Sequence, residues 1–254
     1  MTEELLSRTD GPMYRITLNR PARRNALTPE LARELAHRLD GVEEDSGVEL
    51  VVLTGAAGHF CAGLDLTWLR AVGDTASTHE LQRGLGDFQA AVLAVVRCPA
   101  PVIAVVQGFA AGFGLDLAVA CDLRIAGTSA RFTSAFARMG LVPDGGSTFT
   151  LPRLVGVGPA LRLLMAGETL DAVQAHAIGL VDEVVDDASM EEGMKTVTDK
   201  LFAAAPASIR AIKRLVRAGE LGALEQTLAT EGAAQLQALQ TPEFRRRLEV
   251  FLSR

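Results

Sequence analysis

Pro101-Val102-Ile103-Ala104-Val105-Val106, followed by Gly108-Phe109-Ala110-Ala111-Gly112-Phe113-Gly114-Leu115-Asp116, is the stretch that decides how this chain folds. A short unbroken apolar run rich in β-branched residues predicts a buried strand, and the small residues after it predict a tight turn into a helix over residues 115–121. The same shape occurs once earlier. Val51-Val52-Leu53-Thr54-Gly55 reads as a buried strand closed by glycine, and Phe60-Cys61-Ala62-Gly63-Leu64-Asp65-Leu66 follows it. N–H groups at a helix start have no partner inside the helix and point outward, and small residues let a ligand approach the main chain. Two such ends facing one cleft would make an oxyanion hole, although either turn alone is read as simply as a tight strand-to-helix connection.

The pattern continues in both directions. Tyr14-Arg15-Ile16-Thr17-Leu18 alternates with period two and ends at Asn19-Arg20-Pro21, a strand running into a turn. Thr28-Pro29-Glu30 supplies an N-cap, a proline at the first helical position and an acidic first turn, after which Leu31, Leu35 and Leu39 repeat along one face. A strand is predicted over 48–54, a helix around 80–97 and a further strand over 123–126. Strands alternating with helices predict an α/β architecture. From about residue 190 strands cease, and helices are predicted at 190–205, 206–218, 221–240 and 242–252. Their apolar stripes need a surface to bury against, and a late helical segment commonly packs on another subunit. The chain therefore divides into an α/β core, residues 1–195, and a C-terminal helical region for oligomerisation, residues 196–254.

Composition narrows the function classes. A chain of 254 residues with 48% hydrophobic content can bury one large core. With 25 basic against 31 acidic residues, the formal charge of −6 gives no electrostatic reason to expect nucleic acid. Cys61, Cys98 and Cys121 lack CxxC spacing, which predicts a reducing compartment with neither disulfide framework nor zinc site. His37, His59, His79 and His176 share no metal-ligand spacing, so no metal is expected. MTEELLSRTDGPMYR lacks the basic start and apolar stretch of a signal peptide, and the apolar region 101–121 is broken by Gln107, Gly108, Gly112, Gly114 and Asp116. A cytoplasmic protein without a membrane span is expected. GxGxxG fails because Leu117 holds the third glycine position, and GxxxxGK[ST], GxSxG and HExxH are absent from the sequence.

Six ordered pieces then resemble one family: Leu18-Asn19-Arg20-Pro21, Asn25-Ala26-Leu27-Thr28, Val52-Leu53-Thr54-Gly55, Phe60-Cys61-Ala62-Gly63-Leu64-Asp65-Leu66, residues 108–122, and Gly140-Leu141-Val142-Pro143-Asp144-Gly145-Gly146. Over residues 14–185 the chain resembles the enoyl-CoA hydratase/isomerase (crotonase-like) superfamily, with AVQAHAIGLVDEVV at 172–185 matching a typical later segment. The resemblance implies a crotonase-like spiral of ββα units followed by a C-terminal helical region, assembled as a homotrimer or dimer of trimers. It implies an acyl-CoA thioester substrate, with coenzyme A entering as part of that substrate and no other cofactor.

It also implies roles for single residues. The oxyanion donors of the family fall on the main-chain N–H groups of Leu64 and Phe113, and Phe113 stands where many relatives have the middle glycine of three. The two glutamates that orient water in the family's hydratases correspond to Asp116 and Phe136, and a phenylalanine cannot bind or protonate water. Asp144 corresponds to an aspartate that enoyl-CoA and dienoyl-CoA isomerases use as proton shuttle and that a family dehalogenase uses as nucleophile. CoA is expected near Arg24, with Arg23 beside it, and near Ala26, Leu27, Ala62, Asp65 and Leu66, Asp65 reading equally as a helix-start cap. Arg245-Arg246-Arg247 could reach a neighbouring subunit's CoA, and Trp68, Leu69, Leu81, Leu85 and Phe88, within residues 67–97, are expected to line the acyl tunnel. Two plainer readings stand beside these: an acid in the first turn of a helix is favoured by the dipole alone, as at Asp116, and Pro-Asp-Gly is a common turn, as at Asp144.

The favoured expectation is double-bond isomerisation of 3-enoyl-CoA to 2-enoyl-CoA, because a single base suffices for it. The alternatives are a 2-enoyl-CoA hydratase with an atypical acid pair, another reaction on a CoA ester, and a catalytically silent acyl-CoA-binding subunit.

Overall fold

Parallel strands buried on both faces hold the centre of the molecule, as seen in a computed structural model that describes residues 3–43, 47–73 and 77–253. Met1 and Thr2 of the N-terminal stretch, residues 74–76 of the expected tunnel region, and Arg254 of the C-terminal region lie outside the described residues.

β1 (Leu5–Asp10) and β2 (Met13–Leu18) form an antiparallel hairpin. β2 then pairs in parallel with β3 (Leu50–Gly55), β3 with β4 (Val102–Val106), β4 with β6 (Leu123–Gly127) and β6 with β9 (Glu183–Val185), giving the order β1-β2-β3-β4-β6-β9. A second, smaller sheet joins β5 (Phe109–Ala111), β7 (Arg131–Thr133) and β8 (Thr169–Asp171). All of β4 and the first four residues of β3 are buried. Covered on both faces, such strands read as continuous apolar runs, and each fully buried Val or Leu side chain contributes about 1.5–3 kcal/mol relative to exposure.

The helices begin where local chemistry sets them. The Thr28 hydroxyl accepts the Leu31 N–H at the start of α1 (Pro29–Asp40), and Leu31, Leu35 and Leu39 are buried along one face. α2 (Leu66–Gly73) follows the first glycine turn. α3 (Thr78–Arg97) opens on a capping box between Ser77 and Glu80. α4 (Phe113–Ala120) follows the second turn and begins two residues earlier than periodicity indicates, because Gly112 with φ 52° breaks the strand there. α5 (Phe136–Met139), α6 (Ser147–Val155), α7 (Val157–Leu161) and α8 (Ala172–Ala177) are short.

The C-terminal helices are α9 (Met190–Phe202), which runs through residue 195, α10 (Pro206–Ala218), α11 (Leu221–Leu239) and α12 (Pro242–Leu252). α11 packs against α3 and α6, and α12 against α2 and α5. α10 is tied to the core by charge: Lys213 Nζ lies 2.6 Å from Asp122 Oδ2 and donates to the Val95 and Ala100 carbonyls, while Arg217 pairs with Asp122 at 2.9 Å. Its apolar face, with Ile212, Leu215 and Val216, is exposed in the single chain. No helix among the described residues is long and apolar enough to cross a membrane.

Candidate active site

The two glycine turns are laced together by main-chain hydrogen bonds. Phe60 N–H donates to the Gln107 carbonyl at 2.8 Å, Cys61 N–H to Phe109 at 2.9 Å, and Ala111 N–H to Cys61 at 3.0 Å. On the other side Leu27 N–H donates to Gly63 and Asp65 N–H to Leu27, each at 2.8 Å, so that Leu64 is held between two fixed neighbours. Gly63 has φ 95°, and a methyl group built on it would sit 2.6 Å from the Ala111 carbonyl oxygen and 3.2 Å from the Phe113 nitrogen. Glycine at 63 thus brings the two helix starts into contact. Its own N–H is engaged by Cys61 Sγ at 3.3 Å. Among the described residues, the N–H groups of Leu64 and Phe113 have no hydrogen-bond acceptor, and the two residues line one cavity. The Cys61 thiol behind them is pushed up to about 12 by burial, which makes it a packing group and no nucleophile.

That cavity is almost wholly apolar. Trp68, Leu69, Leu81, Leu85 and Phe88 line it with Leu64, Phe113 and Leu239, and among the described residues its polar side chains are Asp144 and Gln235. The Phe113 ring meets Phe88 edge-on with centroids 4.7 Å apart. Phe136 is buried in an apolar cluster with Leu69, Met139, Leu141, Phe244 and Leu248, and its ring reaches to 4.0 Å from where a methyl on Gly112 would lie.

The two candidate acids are placed differently. Asp144 is 5% exposed and faces the cavity; its Oδ2 accepts from Gln235 Nε2 at 3.1 Å, and its Oδ1 has no partner. Burial raises its pKa to about 7, opposed by the Gln235 hydrogen bond and supported by the nearby charge of Glu231. Asp116 is 1% exposed, does not line the cavity, and accepts the Gly145 N–H at 3.0 Å. Burial, then Glu231 and Asp144, push its pKa well above the usual carboxylate range. A methyl on Gly145 would lie 2.7 Å from Asp116 Cβ and 3.0 Å from Phe113 Cε2, so this glycine lets the Asp144 loop settle on α4.

The residues expected near CoA lie on two segments, 23–27 and 62–66, joined by main-chain hydrogen bonds, and most of their polar groups are engaged within the chain. Asp65 caps α2, accepting the Thr67 and Trp68 N–H groups at 2.9 and 3.3 Å, and pairs with Arg20 Nη2 at 2.9 Å. Burial alone would raise its pKa, but Arg20 and the two amides outweigh burial and hold it below the ordinary value. Ala62 N–H donates to the Arg24 carbonyl, Ala26 N–H to Arg23 and Leu27 N–H to Gly63, which leaves these segments without free donors at those three residues. The side chains of Arg23 and Arg24 are exposed; Arg23 reaches Thr67 Oγ1 at 3.3 Å, and Arg24 lies 5.8 Å from the Phe109 ring centroid. Leu66 packs beside the Phe136 cluster. Arg246 and Arg247 pair with Glu243 on their own helix, and Arg247 also donates to the Arg138 carbonyl. Among the described residues no group of three His, Cys, Asp or Glu side chains is placed to hold a metal ion.

Gln235 and Glu231, both on α11, escaped the sequence reading. Glu231 accepts the Gly146 N–H at 2.7 Å and the Thr148 N–H at 3.0 Å. Leu224, Leu228, Glu231 and Gln235 form the buried stripe of α11, so the available signal was a pair of polar residues continuing an apolar face at helical spacing.

The enoyl-CoA hydratase/isomerase family model matches residues 8–254. The chain is 35% identical over 255 residues to the 1,2-epoxyphenylacetyl-CoA isomerase of Escherichia coli K12, covering all of this chain and 97% of that one. It is 31% identical to the short-chain-enoyl-CoA hydratase of Clostridium acetobutylicum, covering 96% and 93%. In three dimensions it matches the enoyl-CoA hydratase of Bacillus halodurans with a TM-score of 0.91, at 26% identity over 98% of this chain and all of that one. The fold is therefore the crotonase fold, and the chain belongs to the enoyl-CoA hydratase/isomerase family as an enzyme of that family.

Proposed function

We propose that this enzyme shifts the double bond of a 3-enoyl-CoA into the 2-position, with Asp144 as its only acid–base group in contact with the acyl chain. One observation carries the reading: among the described residues, Asp144 is the acid that lines the cavity, with one carboxyl oxygen unpartnered and a pKa of about 7.

The thioester carbonyl oxygen would accept from the Leu64 and Phe113 N–H groups, both fixed by the lacing of their turns. A proton α to a thioester is too weakly acidic to leave at neutral pH unless charge growing on that oxygen is stabilised. Two fixed donors in a dry cleft supply about 3 kcal/mol each, because they do not reorganise during the reaction. Asp144 Oδ1 takes the proton from C2, the electron pair moves into the dienolate, and the same oxygen returns a proton at C4, leaving the 2,3 double bond. A base near neutrality can do both halves, and a positioned one contributes about 10²–10⁴-fold. Asp116 supports this from beneath: bonded to the Gly145 N–H, it holds the loop, and burial with the neighbouring Glu231 and Asp144 disfavours a second charge beside Asp144.

Hydration needs a second group able to hold water. Phe136 stands at that position in an apolar cluster, and Asp116 is closed off from the cavity lining, which favours isomerisation. The lining accepts an apolar acyl group carried on CoA, for which Arg23 and Arg24 are exposed cations beside Ala26, Leu27, Ala62 and Asp65. A homo-oligomer is part of the same reading, supported by two uncovered apolar faces: Ile212, Leu215 and Val216 on α10, and Val157, Leu161 and Met165 at four-residue spacing. Purified enzyme should convert a 3-enoyl-CoA to its 2-enoyl isomer and leave crotonyl-CoA unhydrated. Loss of crotonyl-CoA absorbance in water, dependent on Asp116, would replace isomerisation by hydration.

A further inference from the structure

Gln235 lies on α11, 91 residues along the chain from Asp144, and is 1% exposed. Its amide is oriented from both ends. The Val142 N–H can only donate, so Gln235 Oε1 must face it, at 3.1 Å; the Nε2 group then faces Asp144 Oδ2, also at 3.1 Å. With Oδ2 engaged, Asp144 Oδ1 is the oxygen left without a partner, on a residue that lines the cavity together with Gln235. One turn earlier on the same helix, Glu231 holds the Gly146 and Thr148 N–H groups. α11 therefore grips the Asp144 loop on both sides of the aspartate.

We infer that Gln235 is the positioning residue for the active-site base, a neutral side-chain donor that turns Asp144 so that Oδ1 points at the substrate and keeps it ready to accept a proton. The inference rests on Asp144 being the base. A carboxylate on a short side chain has two rotatable bonds and two equivalent oxygens, so an unrestrained aspartate would spend much of its time misdirected. The choice of an amide over a cation matters as well. Among the described residues, the charged or titratable groups facing Asp144 are Asp116 on α4 and Glu231 on α11, while α2 and α3 present apolar side chains. An arginine in place of Gln235 would leave the carboxylate too weak a base, as Arg20 does to Asp65, whereas an apolar residue would leave it protonated at neutral pH.

Gln235→Glu separates positioning from simple loop anchoring, because it keeps the shape and the acceptor for Val142 N–H and replaces only the donor facing Asp144. Losing that donor and gaining a carboxylate should move the acid limb of kcat/KM upward by about one pH unit, lowering kcat about tenfold at neutral pH while KM changes far less. Gln235→Met, which removes both bonds, should move the limb in the same direction. Circular dichroism confirms folding, and the limb is read on whichever variant is folded. An unmoved limb with wild-type kcat overturns the assignment of Gln235. Asp144→Asn, measured alongside, separates the two ideas: if it abolishes turnover while the limb stays in place, only Gln235 is misassigned, and if it turns over normally the base and its positioning residue fall together.

Discussion

Asp65 and Asp144 are equally hidden from solvent, 6% and 5% exposed, each inside a family motif, yet their acidities move in opposite directions. Asp65 has a guanidinium at 2.9 Å and two main-chain N–H groups, and is held ionised. Asp144 has only neutral donors, the Gln235 amide and its own main-chain N–H, with a nearby carboxylate in Glu231 and an apolar wall, and its pKa rises to about 7. Burial raises both. Asp144 sits deeper among surrounding atoms and feels burial more strongly, and the partner differs as well; together they decide whether a buried aspartate caps a helix or can exchange a proton.

The largest expected effect comes from removing the reactive member of the pair. Asp144→Asn should lower kcat about 10²–10⁴-fold in the isomerase assay, since the amide keeps the shape and loses the base. The same substitution should stabilise the fold. A carboxyl whose folded pKa lies above its unfolded value favours folding only when protonated, so it costs stability above about pH 7 and the cost disappears as pH falls toward the ordinary carboxylate value. Asparagine removes that cost, by an amount on the order of 4 kcal/mol at pH 8 and well under about 1 kcal/mol at pH 4. Chemical denaturation at the two pH values measures this, and equal stabilities at pH 8 would contradict the raised pKa.

Arg20→Met turns Asp65 into a residue like Asp144. Leaving a buried carboxylate without its cation should cost about 3 kcal/mol. The sign of the pH dependence is the sharper readout. In the parent, Asp65 has a lowered pKa, so its contribution is present above the ordinary carboxylate value and is lost as pH falls through the folded one. In the variant its pKa rises, and stability contributed by this site should instead increase on acidification. A variant whose urea midpoint fell equally at pH 5 and pH 8 would show that Arg20 acts through packing rather than through Asp65.

Gly145→Ala tests how closely the Asp144 loop must seat. The added methyl meets Asp116 Cβ at 2.7 Å and the Phe113 ring edge at 3.0 Å, both inside a packed core. Overpacking of this kind costs about 1–3 kcal/mol, and it should lower kcat by lifting Asp144 away from the acyl carbon. Wild-type stability and kcat would mean that the loop has slack.

How much of this was legible in the sequence follows from the range of the interactions. The Thr28 cap, the Leu31, Leu35 and Leu39 stripe, the buried runs at β3 and β4 and the four C-terminal helices depend on neighbours within a few residues, and periodicity exposes them. The three-residue strands β5, β7 and β8 are too short to carry a period, so the second sheet was invisible. The boundary between strand and α4 was misjudged by two residues because a positive φ at Gly112, rather than propensity, sets it. At the site, Asp144 and the two glycine turns stood out as motifs. The Arg20–Asp65 pair spans 45 residues and the Gln235–Asp144 bond 91, and no local pattern reports contacts of that separation.

Arg24 gives the smallest effect and sets the scale for the rest. It lies four residues from Arg20 on the same loop, but its side chain is exposed while that of Arg20 is 14% exposed. An exposed cation works through a high dielectric and is screened by salt, so a pairing it makes with a CoA phosphate is worth about 0.2–1 kcal/mol. Arg24→Ala should therefore raise KM by about two- to fivefold with kcat unchanged, and the difference should shrink as salt is added. Arg20→Met, by contrast, should show a loss of stability that salt barely relieves, because its partner is shielded from solvent. A salt-insensitive KM in Arg24→Ala would place the phosphate elsewhere, with Arg70 and Arg245, at the rim of the cleft that shares Leu69, Leu81 and Leu239 with the active-site cavity, as the next cations to replace.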